Sequence, residues 1–215
     1  MSDILEKIKD AVITRQRNEI QGLVETAVNE GIDLNTIIDN GLIAAMDVVG
    51  KRFSDSEIFV PEMLVSALTM KLGLEVVKPL LKSEDTQSRG TIIMGTVKGD
   101  IHDIGKNIVI MMLEGAGFQV VDLGVDLTVE KLVEQVEAIN ADLVGLSALL
   151  TTTMPEMRRT IEVLQEKGLK ENVKVMVGGA PVSASFAEEI GADGYGADAA
   201  EAVELARRLI GGTEG

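Results

Sequence analysis

An α/β chain in two parts is what this sequence predicts: an N-terminal four-helix bundle over residues 1–88, then a doubly wound parallel sheet over residues 89–215. Three observations lead there. Before Ser83 the apolar residues recur at helical spacing. A polar stretch without periodicity, Ser83-Glu84-Asp85-Thr86-Gln87-Ser88-Arg89-Gly90, then intervenes, as it does at domain boundaries. Beyond it, short near-continuous apolar runs alternate with amphipathic ones, the pattern of parallel strands buried on both faces by helices.

Taken in order, the first helix carries Ile4, Ile8, Ala11 and Val12 on one stripe. The second carries Ile20, Leu23, Val24 and Ala27 and ends at Gly31. Asp33 reads as the N-cap of a third, with Leu34, Ile37, Leu42, Ala45, Met46 and Val49 along it. Pro61 suits the first turn of a fourth, whose apolar side holds Met63, Leu64, Ala67, Met70, Leu74 and Val77. Four such helices with short turns make a small antiparallel bundle. In the second part, strands are expected at 91–97, 119–123, 143–146, 174–177 and 194–195, and helices at 104–115, 129–139, 154–167, 185–191 and 199–210. Right-handed crossovers between parallel strands then give a Rossmann-like sheet of flavodoxin-like order.

Composition excludes several classes. Aromatic residues make up 2% and Trp is absent, so the core must be Val, Ile, Leu, Met and Ala. A net charge of −15 argues against nucleic acid and anionic membrane surfaces as partners. Without cysteine there is no disulfide frame, thiolate zinc site or iron–sulfur cluster. The amino-terminal residues lack the apolar core of a signal peptide, and no apolar run approaches the ~20 residues of a membrane span. A cytoplasmic location is therefore expected.

The chain's one histidine, His102, stands in the run Gly99-Asp100-Ile101-His102-Asp103-Ile104-Gly105, between a predicted strand and a predicted helix. Open α/β sheets place their ligands on such loops. Asp100 lies two residues before the imidazole, and a metal-bound imidazole commonly donates its second ring N–H to a carboxylate. Gly105, at the start of the helix, lets a bulky group approach the backbone. A nucleoside-triphosphate loop does not fit: five residues rather than four separate Gly99 from Gly105, and Asn107 stands where Ser or Thr would hold magnesium. An aspartyl-phosphate receiver would need its acceptor after the third strand, where this chain has Ser147. The plainer alternative is a helix-capping loop whose histidine only packs or hydrogen-bonds.

Asp100-x-His102-x-x-Gly105, with Gly99 before it and Lys106-Asn107 after it, resembles the cobalamin-binding signature of corrinoid proteins. The resemblance covers nearly the whole chain, helical bundle then cobalamin module. That layout is similar to the free-standing methyl-carrier proteins of methylotrophic methyltransferase systems and to the interior of cobalamin-dependent methionine synthase. It implies that His102 coordinates cobalt from below in place of the cofactor's benzimidazole, base-off and His-on, with Gly99, Asp103, Ile104 and Gly105 against the cofactor.

The displaced nucleotide tail would then enter the protein. Leu146-Ser147-Ala148-Leu149-Leu150-Thr151-Thr152-Thr153 looks like the family's Ser-x-Leu segment. By that likeness Ser147, Leu149 and Thr151 line the slot, and Thr153 joins Asp100 and His102 in a hydrogen-bonded relay. Threonine departs from the serine frequent there, since its β-branch restricts the rotamer; N-capping of the next helix is its other use. Val177-Gly178-Gly179-Ala180-Pro181 resembles the paired glycines that pack on the tail, where a Cβ would close the slot; a tight turn is the alternative. Tyr195, before Gly196-Ala197-Asp198-Ala199, would form the slot's far end or simply pack. Phe59-Val60-Pro61-Glu62-Met63-Leu64-Val65-Ser66-Ala67 resembles the segment that caps the corrin's upper face. Val60, Met63, Leu64 and Ala67 are its candidates, against an ordinary methionine-rich core.

The resemblance implies a methyl carrier with no catalytic residue of its own. Its cobalt cycles between Co(I) and methyl-Co(III). A donor-specific barrel methyltransferase loads it, an acceptor methyltransferase unloads it onto tetrahydrofolate or a thiol, and a reductive activase maintains it. The alternative is the cobalamin-binding subunit of an adenosylcobalamin-dependent mutase, whose chemistry a helical cap would obstruct.

Overall fold

The computed structural model describes residues 3–81 and 89–211. The expected linker lies outside the described residues except for Arg89 and Gly90. The chain divides into two compact units, one of helices and one of alternating strands and helices.

In the helical unit, α1 (Asp3–Ile13) buries Ile4, Leu5, Ile8, Ala11 and Val12, and α2 (Ile20–Asn29) buries Ile20, Val24 and Ala27. Gly31 closes α2 at φ +77, the left-handed conformation that favours glycine after a helix. Asp33 caps the next helix: its carboxylate accepts the Thr36 N–H at 2.9 Å. That helix is not uniform. α3 (Leu34–Thr36) runs into a π-helical stretch, Ile37–Ile43, and then α4 (Ala44–Ser54). The wider turn lets Ile37, Leu42 and Ile43 all be buried together with Ala45, Met46 and Val49. Ile37 and Leu42 are five residues apart, the spacing of a π turn. α5 (Val60–Val77) begins with Pro61 in its first turn, and the Glu62 carboxylate accepts the Phe59 N–H at 3.0 Å. Gly73 lets α5 pack closely, since a Cβ there would lie 2.8 Å from Leu42 Cδ2.

In the α/β unit, five strands form one parallel sheet in the order β2-β1-β3-β4-β5. They are β1 (Thr91–Thr96), β2 (Gln119–Asp122), β3 (Leu143–Ser147), β4 (Lys174–Gly178) and β5 (Gly194–Gly196). The flavodoxin-like order expected from the alternation is the one observed. The intervening helices are α6 (Ile104–Gly115), α7 (Val129–Ile139), α8 (Pro155–Glu166), α9 (Ala184–Glu189) and α10 (Ala199–Gly211). Central strands bury nearly every residue: Ile92, Ile93 and Met94 on β1, Leu143, Val144 and Leu146 on β3, and Val175, Met176 and Val177 on β4.

Register then positions the site. Thr96 pairs with Ser147, Ser147 with Gly178, and Gly178 with Gly196. Four strand ends therefore share one row, and the loops after β1, β3, β4 and β5 leave the sheet from the same edge. The direction in which successive strands are added reverses between β1 and β3, the position at which doubly wound sheets open a crevice.

Candidate functional site

The loop from Gly99 to Gly105 is built around Asp100, whose side chain is fully buried. A buried carboxylate needs donors for both oxygens. Asp100 Oδ1 accepts the His102 N–H at 3.1 Å and is 2.6 Å from His102 Nδ1. Oδ2 accepts the N–H groups of Leu149 at 2.8 Å and Leu150 at 3.1 Å, and the Thr153 hydroxyl at 2.9 Å. Burial by itself pushes the Asp100 carboxyl up. The hydrogen bonds from His102, Leu149 and Thr153 outweigh it and hold the group well below the usual carboxylate range. The acid thus stays ionised, which orients the imidazole with Nδ1–H toward it.

His102 is held at its backbone as well. Its carbonyl accepts the Thr96 hydroxyl at 2.9 Å. The imidazole is 46% exposed, and with Nδ1 on Asp100 its Nε2 is the nitrogen left for a ligand. Around it this loop and the one after β3 present bare apolar groups: Ile101 is 74% exposed, Ile104 77% and Leu149 45%. Exposed branched aliphatics beside an exposed imidazole form a surface suited to a large apolar ring.

Thr153 is buried, and its hydroxyl lies 2.9 Å from Asp100 Oδ2 and 2.8 Å from the Leu150 carbonyl, with one proton for the two acceptors. It does not cap α8, whose N-cap is Met154 with no side-chain bond. Asp100, His102, Thr153 and the main chain at Leu149 are therefore brought together. Asp103 sits apart from them, exposed, with its carboxylate accepting Asn107 Nδ2 at 3.2 Å on the first turn of α6. Gly105 is open: a Cβ there would meet nothing within 4 Å.

Ser147 ends β3 and gives its carbonyl to Val97 N–H at 3.0 Å. Thr151 and Ala180 are exposed on the loops that follow β3 and β4. At the glycine pair the structure supplies a reason different from the expected one. A Cβ on Gly179 (φ +125) would lie 1.9 Å from the Ala148 carbonyl oxygen, and one on Gly178 would lie 3.0 Å from the Gly196 oxygen. Glycine at 179 is thus required by the neighbouring backbone itself. Tyr195 is half-buried on β5 and packs against the hydrophobic core. Of the helical candidates, Met63 and Ala67 are buried, while Val60 and Leu64 are half-buried. The exposed apolar side chains of that stretch are Phe59 and Leu68, which the helical pattern alone did not single out.

Two further partnerships escaped the sequence reading. Lys106 is buried, and its ammonium donates to both Asp122 oxygens, at 2.7 and 2.8 Å, and to Asn107 Oδ1 at 2.8 Å. This ties the start of α6 to the end of β2. Asp126 accepts the Gly99 N–H at 2.7 Å. Neither pairing has a spacing that would announce it.

Two family models match the chain, both described as a B12 binding domain, one over residues 90–204 and one over residues 4–78. Dimethylamine corrinoid protein 1 of Methanosarcina acetivorans is 45% identical over 209 residues, 97% of this chain and 98% of that protein. The chain belongs to the corrinoid proteins. Trimethylamine corrinoid protein 1 of the same organism is 40% identical, over 97% of each chain. The crystal structure of the methanol:cobalamin methyltransferase complex from Methanosarcina barkeri superimposes with a TM-score of 0.89 at 31% identity, covering 99% of this chain and 81% of that one. These relatives do not favour the mutase alternative. No described helix is long and apolar enough to cross a membrane.

The donor set fits a corrinoid. Among the described residues no three His, Asp or Glu side chains gather to hold a metal ion. A lone imidazole, fixed by a carboxylate, suits a metal that brings its own equatorial nitrogens and needs one axial ligand from the protein. The exposed aliphatics beside His102 suit the macrocycle's apolar face.

Proposed function

We propose that this corrinoid protein carries a methyl group on cobalt between a donor-specific methyltransferase and an acceptor methyltransferase. The observation that carries the reading is the pairing of His102 Nδ1 with the buried Asp100 carboxylate at 2.6 Å, which leaves Nε2 facing outward on a half-exposed ring. The methylamine and methanol systems of its relatives support it. When bound, the cofactor supplies a cobalt centre that accepts and gives up the methyl group.

The chain's own residues do the rest. His102 would hold the cobalt through Nε2, with the cofactor base-off and His-on. Asp100 fixes its tautomer, and the Asp100–His102 pair would hold a proton when the ring is free of metal, with Thr153 on the second carboxylate oxygen. Gly99, Asp103, Ile104 and Gly105 lie under the ring. Ser147, Leu149, Thr151, Gly178, Gly179, Ala180 and Tyr195 receive the nucleotide tail. Residues 89–215 form the cofactor module. Residues 1–88 serve to exclude solvent from the reacting face, through Val60, Met63, Leu64 and Ala67. The donor enzyme is a barrel protein, a reductive activase restores the lowest cobalt state, and the system is cytoplasmic.

Because the chain has one histidine, a single labelling experiment tests the ligation. Electron paramagnetic resonance of the Co(II) form should show nitrogen splitting that changes from a triplet to a doublet when the protein is made with heavy-nitrogen histidine. A pattern unaffected by the label would mean that benzimidazole is the ligand. Transfer is tested by following the visible spectrum of reduced protein mixed with dimethylamine, trimethylamine or methanol and the matching donor methyltransferase. No spectral change with any of the three would reject a carrier role in these systems.

A further inference from the structure

Asp126 has no part in the function proposed above. It lies in the loop between β2 and α7 and belongs to no motif. Yet its carboxylate Oδ1 accepts the Gly99 N–H at 2.7 Å, and its own N–H donates to the Asp100 carbonyl at 2.9 Å. The two bonds fall on either side of the Asp100 α-carbon. One holds the main chain at the Gly99 N–H, a residue before it, the other the carbonyl just after it. Asp126 itself has φ +51, a left-handed conformation that Asp and Asn tolerate better than most residues. Its neighbours run beside the end of β1. Thr96 N–H donates to the Gly124 carbonyl, Leu127 N–H donates to the Thr96 carbonyl, and Val97 bridges to Leu127.

We propose that Asp126 is a positioning residue for His102, acting through the main chain of Asp100. The Asp100 carboxylate has to reach His102 Nδ1 with one oxygen and the amides of Leu149 and Leu150 with the other. That requires one orientation of the Asp100 backbone. Gly99, at φ +81 and without a side chain, cannot impose it, because glycine enters many conformations at equal cost. The Asp100 N–H donates to the Val97 carbonyl at 3.1 Å, and the grip from beyond this turn comes from Asp126, on the carbonyl side and at Gly99. Its consequence in the protein without cofactor is a fixed Nδ1–H tautomer of His102. Its consequence on cofactor binding, a preorganised Nε2 ligand, rests on the His-on reading above.

The test separates the two. Histidine side-chain nitrogen resonances of the cofactor-free protein report the tautomer, and with one histidine in the chain they need no assignment. Wild type should show the Nδ1–H form. Asp126→Asn keeps both the acceptor and the left-handed tolerance and should look like wild type. Asp126→Gly keeps the backbone conformation but loses the acceptor, and the Nδ1–H form should fall about fivefold relative to the other tautomer, the equilibrium effect of one hydrogen bond. Asp126→Ala, measured the same way, carries the same expectation and stands in if the glycine variant does not fold. A merely structural role would lower the melting temperature of these variants and leave the tautomer of the folded protein unmoved. A wild-type tautomer in both Asp126→Gly and Asp126→Ala overturns the proposal. Failure of the His-on reading would show instead in wild type, as a Co(II) spectrum indifferent to labelled histidine, whatever the tautomer data give.

Discussion

The loop after β1 and the loop after β4 start from one row of the sheet, and both hold glycines that resemble a cofactor-binding signature. Their physics differs. In the first, the polar groups converge on a buried carboxylate that receives donors from His102, from the main chain of Leu149 and Leu150, and from Thr153. A Cβ on Gly105, at the start of α6, would meet nothing within 4 Å. In the second, no such network is present among the described residues, and Gly179 is pressed against the Ala148 carbonyl. A motif glycine can therefore mark space kept for a ligand or space already filled by the protein, and only the neighbouring atoms tell which.

Substitutions that treat the two loops alike should separate them. The largest effect is expected from Gly179→Val. A side chain at φ +125 and 1.9 Å from a backbone oxygen forces the loop apart, and a loss of more than about 3 kcal/mol is expected in thermal or urea unfolding of the cofactor-free protein. Unchanged unfolding would mean that the loop has room to spare, and its glycine would then be reserved for the ligand. Next comes Asp100→Asn. The amide cannot accept on both sides, and about 1–3 kcal/mol should be lost, together with the His102 tautomer. A variant of wild-type stability would show that the five donors contribute little. Thr153→Val should cost about 1 kcal/mol and Thr153→Ser less; equal losses would point to the methyl group rather than the hydroxyl. The smallest change is Gly105→Ala, whose sign is opposite. In a helix with open space around the site, alanine should stabilise the cofactor-free protein by up to about 1 kcal/mol while weakening corrinoid retention on gel filtration. Full retention would remove Gly105 from the contact surface.

How much of this was legible in the sequence follows from where each partner sits. Apolar runs and turn residues are local signals, so the sheet order and strand positions could be read, with ends shifted by a residue: β1 stops at Thr96 and α8 starts at Pro155. The π-helical stretch was passed over because a period of 3.6 was assumed, although the Ile37–Leu42 interval recorded it. Asp100 and His102 are two residues apart, and their pairing could be inferred from spacing. The other donors to Asp100 come from residues 149, 150 and 153. Two are backbone N–H groups, which every residue but proline possesses, so no side-chain identity reveals them. Asp126 is hidden for the same reason. At Gly179 the steric reason for glycine was not legible, because the atom that its Cβ would meet belongs to another strand's loop.

One feature of the histidine loop sets how the ring can move. His102 gives its N–H to Asp100 and its carbonyl receives the Thr96 hydroxyl, so its main chain is stapled on both sides while its side chain is half in solvent. A turn of the ring therefore requires no remodelling of the loop. Once the Nδ1 bond to Asp100 is given up, the ring turns about two side-chain bonds over a stationary backbone, a side-chain motion rather than the slower opening of a loop. A side chain mounted in this way behaves as a latch on a fixed frame: it can turn and return while the frame stays as it was.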